Sequence, residues 1–101
     1  MAKELKITLN TNHEFPINSY TRNTNIHGDE ITSNAYVGLK NPTFSQLDEL
    51  RTLAASTITD LLITSDGDEV YRLNNLTAKI ISIEEAITEE GMVRTFFNLA
   101  L

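Results

Sequence analysis

The sequence predicts a mainly β domain of β-rich α+β composition. The expected form is a small antiparallel sandwich or curled sheet of about six or seven strands, with C-terminal hairpins and one helix at about 44–55. Three observations carry this prediction. Apolar and polar residues alternate near both ends of the chain, turn-forming clusters separate the alternating runs, and the apolar spacing lengthens to three and four in one place, after Pro42.

Leu5, Ile7 and Leu9 alternate with Lys6 and Thr8, which predicts a first strand over 4–10 with one buried face. Asn10-Thr11-Asn12-His13 is a turn cluster. Phe15 and Ile17 resume the alternation, Tyr20 joins if the strand bulges, and Pro16 points to an edge strand because it cannot donate to a ladder. Residues 21–34 carry little pattern, with Ile26 and Ile31 as large apolar residues and Gly28-Asp29 as a turn signal. They read as a long loop with room for a short strand, and such loops in compact domains are favoured contact surfaces. A short strand is expected at Ala35–Leu39.

Phe44, Leu47, Leu50, Leu53 and Ala54 fall on one helical face. Thr43 with Gln46, or Ser45 with Asp48, supplies the reciprocal cap, and Asp48 and Glu49 near the first turn oppose the helix dipole. The next hairpin runs through Asp60–Ser65 and Glu69–Asn74 around Asp66-Gly67. A two-residue turn pairs Ile63 with Val70, whereas a three-residue loop pairs Leu62 with Val70. Either way Leu61-Leu62-Ile63 is apolar on both faces, so this strand is central or meets a partner. The last hairpin has Lys79–Ile87 and Val93–Leu101 around Glu89-Glu90-Gly91, closed by Thr88 and Met92. Its register pairs Ile87–Val93, Glu85–Thr95, Ile83–Phe97 and Ile81–Leu99 on the apolar face. Ala86–Arg94, Glu84–Phe96 and Ser82–Asn98 occupy the other face.

A chain of 101 residues is one domain, 1–101, with one core. Its formal charge of −6 argues against a nucleic-acid groove or an anionic membrane surface, and its eight basic residues are scattered. No apolar run approaches the roughly 20 residues of a membrane span, and the start lacks the apolar segment of a secretory signal. There are no cysteines, which removes disulfides, thiolate metal sites and cysteine nucleophiles together.

No catalytic constellation, phosphate loop or nucleophile elbow is present, so no enzyme activity, cofactor or metal is expected. His13 and His27 fall in expected loops without ligand spacing and read as solvated. Asp66-Gly67-Asp68-Glu69 lacks the remaining ligands of a calcium loop. Glu84 and Glu85 point to opposite faces, which rules out a carboxylate dyad, and Glu85 sits on the apolar face at the rim of the core or at an interface. Phe96 and Phe97 are adjacent, so one ring faces inward and the other outward. The outward Phe96, with Met92 and Arg94, forms one interface candidate; Leu62 and the loop residues Ile26 and His27 are the others. The alternation from Val93 to Leu101 suggests a last strand held by pairing, within the fold or between subunits.

The stretch DLLITSDGDEVYRLNNLTAKIISIEEAITEEGMVRTFFNLAL resembles the C-terminal hairpins of small structural proteins from tailed bacteriophages or prophages. The shared features are Thr/Asn-rich, cysteine-free strands and a closing Glu-Glu-Gly hairpin over residues 60–101. The resemblance implies a virion or tail-associated component that works by symmetric assembly, located in the virion or host cytoplasm. The expected function is therefore a non-catalytic structural protein that forms a homo-oligomer or binds other structural proteins. A protein- or glycan-binding module using the 21–34 loop is the alternative, followed by a small acidic inhibitor of a basic site.

Overall fold

The computed structural model describes residues 4–101. The first three residues, within the stretch read above as lacking a signal, lie outside that range. The described chain is mostly β: seven antiparallel strands form one open sheet, with one helix across its inner face. In chain order the elements are β1 (Leu5–Leu9), β2 (His13–His27), β3 (Glu30–Leu39), α1 (Phe44–Leu53), β4 (Leu61–Ser65), β5 (Asp68–Leu73), β6 (Lys79–Ile87) and β7 (Val93–Ala100). Their spatial order is β5-β4-β1-β2-β3-β7-β6. Of the two forms expected, the curled sheet is the one adopted.

The inner face follows from the alternation. Ile7, Leu9, Phe15, Ile17, Ala35, Val37, Leu61, Ile63, Phe97 and Leu99 are all buried in one cluster, and the helix adds Leu50 and Leu53. Thr43 caps α1 with a reciprocal box: its Oγ1 accepts from Gln46 N at 3.1 Å, and Gln46 Oε1 accepts from Thr43 N at 2.9 Å. Phe44 is a correction, being 85% exposed. It occupies the first helical position, ahead of the turn that meets the sheet. The helix also ends earlier than expected, with Ala54 as its C-cap, and neither Asp48 nor Glu49 lies in its first turn.

Two corrections concern β2. Pro16 lies in a central strand, paired opposite Lys6 of β1, with β3 on the other side. Its carbonyl accepts from Lys40 N at 2.9 Å, just past the end of β3. A strand residue's nitrogen and carbonyl point to the same neighbour, so the missing donor faces the place where β3 has already ended. The unpatterned 21–34 segment is a long β-hairpin rather than a loop. Pairing runs from Thr21–Tyr36 to His27–Glu30, and Gly28, with φ of 62°, takes the first central position of the turn, as a type II′ turn requires. Weak alternation hid it because both faces of the hairpin are in water.

The C-terminal hairpins keep their turns and adjust their registers. Asp66 and Gly67, with φ of 52° and 88°, form a two-residue turn of type I′ character. Neither expected pairing follows, because a bulge between Ile63 and Thr64 places Ile63 opposite Tyr71 and leaves Val70 outside. The last hairpin has the expected loop, with Thr88 N donating to Met92 O at 2.9 Å and Gly91 at φ of 79°. Its register holds from Ile87–Val93 to Ser82–Asn98, and then a bulge pairs Leu99 with Ile80 instead of Ile81. Ile81 is exposed as a result.

Candidate functional site

Two surface features stand out, and β3 carries one at each end. The first is a cleft on the outer face. A bulge in β2 between Ile17 and Ser19 turns Asn18 and Ser19 toward Gly38 of β3. Gly38 is opposite Phe96 of β7, and with no side chain at Gly38 the Phe96 ring lies over the backbone there. That ring stacks on Tyr36, two residues along β3, at 5.3 Å between centroids and 9° between planes. Beside it, Asn18, Leu39, Asn41, Met92, Val93, Arg94 and Phe96 enclose a cleft of about 360 Å³.

The second feature is an arm made by the distal parts of β2 and β3. β1 pairs with β2 only as far as Ile17, and β7 pairs with β3 only from Asn34 inward. Beyond those limits, apart from Leu101 N donating to Ser33 O at 2.9 Å, the two strands have each other alone, so their outer edges carry unpaired backbone groups. Every residue from Thr21 to Thr32 is exposed. Ile26 and Ile31 are direct cross-strand partners, 68% and 65% exposed, on the same face as buried Ala35 and Val37. The other face presents Thr21, Asn23, Asn25, His27, Thr32 and Asn34.

The structure thus brings together Met92, Arg94 and Phe96 of the expected interface residues, whereas Ile26 and His27 share the arm but lie on its opposite faces. Leu62 belongs to neither group. It is half-buried on the outer face of β4, lining a different cleft of about 240 Å³ with Thr8, Thr11, Asp60, Leu61, Arg72 and Asn74. Phe96 is half-buried by its own chain, since it covers Gly38 and meets Tyr36. Sequence reasoning missed Asn18, Tyr36 and Asn41. Asn18 becomes a cleft residue through the bulge that the Ile17–Tyr20 spacing allowed for, with Tyr20 turned onto the core as that spacing required, and the Tyr36-Val37-Gly38 spacing is the readable hint of an aromatic beside a bare strand position.

Other polar residues have structural partners. His13 opens β2 rather than sitting in a loop, and its Nδ1 lies 2.9 Å from Glu49 Oε2 on α1. His27 is at the opposite end of that fifteen-residue strand, so the two histidines cannot share a ligand. Glu85 accepts from Arg51 of α1 at 2.6 Å, so its place at the core rim is filled by an ion pair within the chain. Asp66 Oδ1 accepts from Glu4 N at 2.8 Å, and Glu69 pairs with Arg72. Among the described residues no three His, Asp or Glu side chains gather as a metal site needs, and no helix is long and apolar enough to cross a membrane.

Comparison with protein-family models and with curated proteins finds no match. The fold and the geometry of these two surfaces therefore carry the functional argument.

Proposed function

We propose that the protein is a non-catalytic structural component that self-assembles, of the virion- or tail-associated kind that residues 60–101 resemble. The observation that carries this reading is the arm. A two-stranded ribbon is marginal in water by itself, and this one displays an apolar cross-strand pair and two bare edges. Covering that ribbon with another subunit satisfies its backbone groups and removes Ile26 and Ile31 from water.

The test is molar mass by light scattering behind size exclusion over a wide concentration range. The expected result is a discrete oligomer of the 11.3 kDa chain that is lost when residues 22–33 are replaced by a short Gly-containing turn. A monomer at every concentration overturns the reading.

The polar face of the arm favours one other reading. Six hydrogen-bonding side chains, Thr21, Asn23, Asn25, His27, Thr32 and Asn34, line one side of the ribbon. That arrangement suits a protein- or glycan-binding module, which a monomer with arm-dependent partner capture would support.

A further inference from the structure

We propose that the arm of one copy docks in the Met92–Arg94–Phe96 cleft of a second copy, giving a head-to-tail assembly. The inference rests on the self-assembly reading and adds the identity of the two surfaces. β3 spans Glu30 at the arm turn to Leu39 at the cleft. At a rise of about 3.3 Å per residue, plug and socket are roughly 30 Å apart on one rigid strand. An arm cannot fold back into its own cleft over that distance, so the arm that docks there belongs to a second copy.

Shape and charge agree. The arm offers the Ile26–Ile31 pair on one face, with Asp29 in its turn and Glu30, the partner of His27, at the tip of the other face. The cleft offers Leu39, Met92, Val93 and Phe96 as an apolar floor, with Arg94 on its wall and Lys40 next to it in sequence. Among the described residues neither Arg94 nor Lys40 has a carboxylate partner, and neither Asp29 nor Glu30 has a cationic one. Glu84, opposite Phe96 on β6, faces the same side but does not line the cleft. Because the arm and the cleft are different surfaces, the contact is heterologous, and it closes into a ring or propagates as a filament according to the rotation between copies.

The chain has no cysteine, so single thiols report the contact cleanly. Ile31→Cys and Met92→Cys are made separately, oxidised alone and as a mixture, and resolved without reductant. Both positions are exposed, which leaves the core intact. The expected result is a disulfide-linked dimer in the mixture and none in either variant alone. Cross-linking of Ile31→Cys by itself means that arms pair tip to tip, and cross-linking of Met92→Cys by itself means that clefts face each other; either overturns this proposal while leaving self-assembly standing. An oligomer with no cross-link in any sample also overturns it alone, whereas a monomer throughout overturns both. As a second measurement, Arg94→Glu should raise the concentration needed for assembly about tenfold, and Glu30→Lys in the same chain should restore it. Failure of the reversal to restore assembly overturns the docking of the arm tip beside Arg94.

Discussion

Tyr20 and Tyr71 pack ring to ring, 5.2 Å between centroids and 49° between planes, although β1 and β4 lie between their strands. In a flat sheet those two backbones would be about 14 Å apart. Curling of the sheet brings the rings together over the inner face. Arg22, two residues beyond Tyr20 on the same face of β2, reinforces the curl by donating to the Tyr71 hydroxyl at 3.2 Å and to Ser33 Oγ at 3.4 Å. The arm is thus tied at its root to the far edge of the sheet while its tip stays free.

The Tyr20 hydroxyl is buried without a hydrogen-bond partner. Burial first, and then the neighbouring Tyr71 phenol, hold its pKa above the ordinary phenol value. Tyr20→Phe is therefore expected to leave stability unchanged or raise it by up to about 1 kcal/mol, measured by urea unfolding at neutral pH. The sign with pH is definite. A raised pKa in the folded state means that the native protein holds the proton more tightly, so this contribution is complete below the unfolded value near 10 and declines as pH rises above it. Tyr20→Phe should flatten the fall in stability above about pH 10; an unchanged alkaline profile would show that another group controls it.

Thr95 is buried between Leu39 and Glu85 in the ladder, and its Oγ1 has no partner. Thr95→Val keeps the branched shape and removes the orphaned hydroxyl, which should stabilise the fold by about 1 kcal/mol. For a domain of this size that corresponds to a thermal midpoint roughly 4–8 °C higher, readable by calorimetry. A lower midpoint would show that a water satisfies the hydroxyl.

Gly38 admits a side chain only if its neighbours shift. A methyl group there would stand 2.6 Å from Ser19 Oγ, 2.7 Å from Asn18 Oδ1 and 3.1 Å from the Phe96 ring. Gly38→Ala should cost about 1–3 kcal/mol through these overlaps, measured by denaturant unfolding. It should also disturb the Tyr36–Phe96 stack, visible in near-ultraviolet circular dichroism, because the ring must lift to admit the methyl. Equal stability and an unchanged spectrum would place the ring elsewhere.

Adjacent residues of the first turn should respond in opposite directions. Asn10 Oδ1 accepts from Thr59 N at 2.7 Å, and its Nδ2 donates to Thr57 O at 3.1 Å, tying the β1–β2 turn to the segment leading into β4. Asn10→Ala loses these bonds, together with those that Oδ1 accepts from Thr59 Oγ1 at 3.1 Å and Asp60 N at 3.5 Å, and places alanine at φ of 52°, a predicted loss of about 2 kcal/mol. Thr11 is a β-branched residue at φ of 63° with no side-chain bond among the described residues to hold it there. Thr11→Gly should therefore stabilise by up to about 1 kcal/mol, checked on the same unfolding curves.

Much of this architecture was determined by the sequence alone. Alternation in Leu5–Leu9 and Val93–Leu99 chose the buried face, Thr43 with Gln46 set the start of the helix, and Asp66-Gly67 and Glu89-Glu90-Gly91 set two turns. Each is a local signal, carried by residues close together in the chain. What only the tertiary structure decided depends on residues far apart. Pro16 fits a central strand because β3 ends beside it, and the bulges at Val70 and Ile81 keep inward residues inward where local spacing would turn them out, whereas the bulge at Asn18 was already legible in the Ile17–Tyr20 spacing. The arm left little trace because a ribbon wet on both faces has no reason to alternate. The cleft left less, since it exists only where a β2 bulge, a β3 glycine and a β7 aromatic meet across three strands.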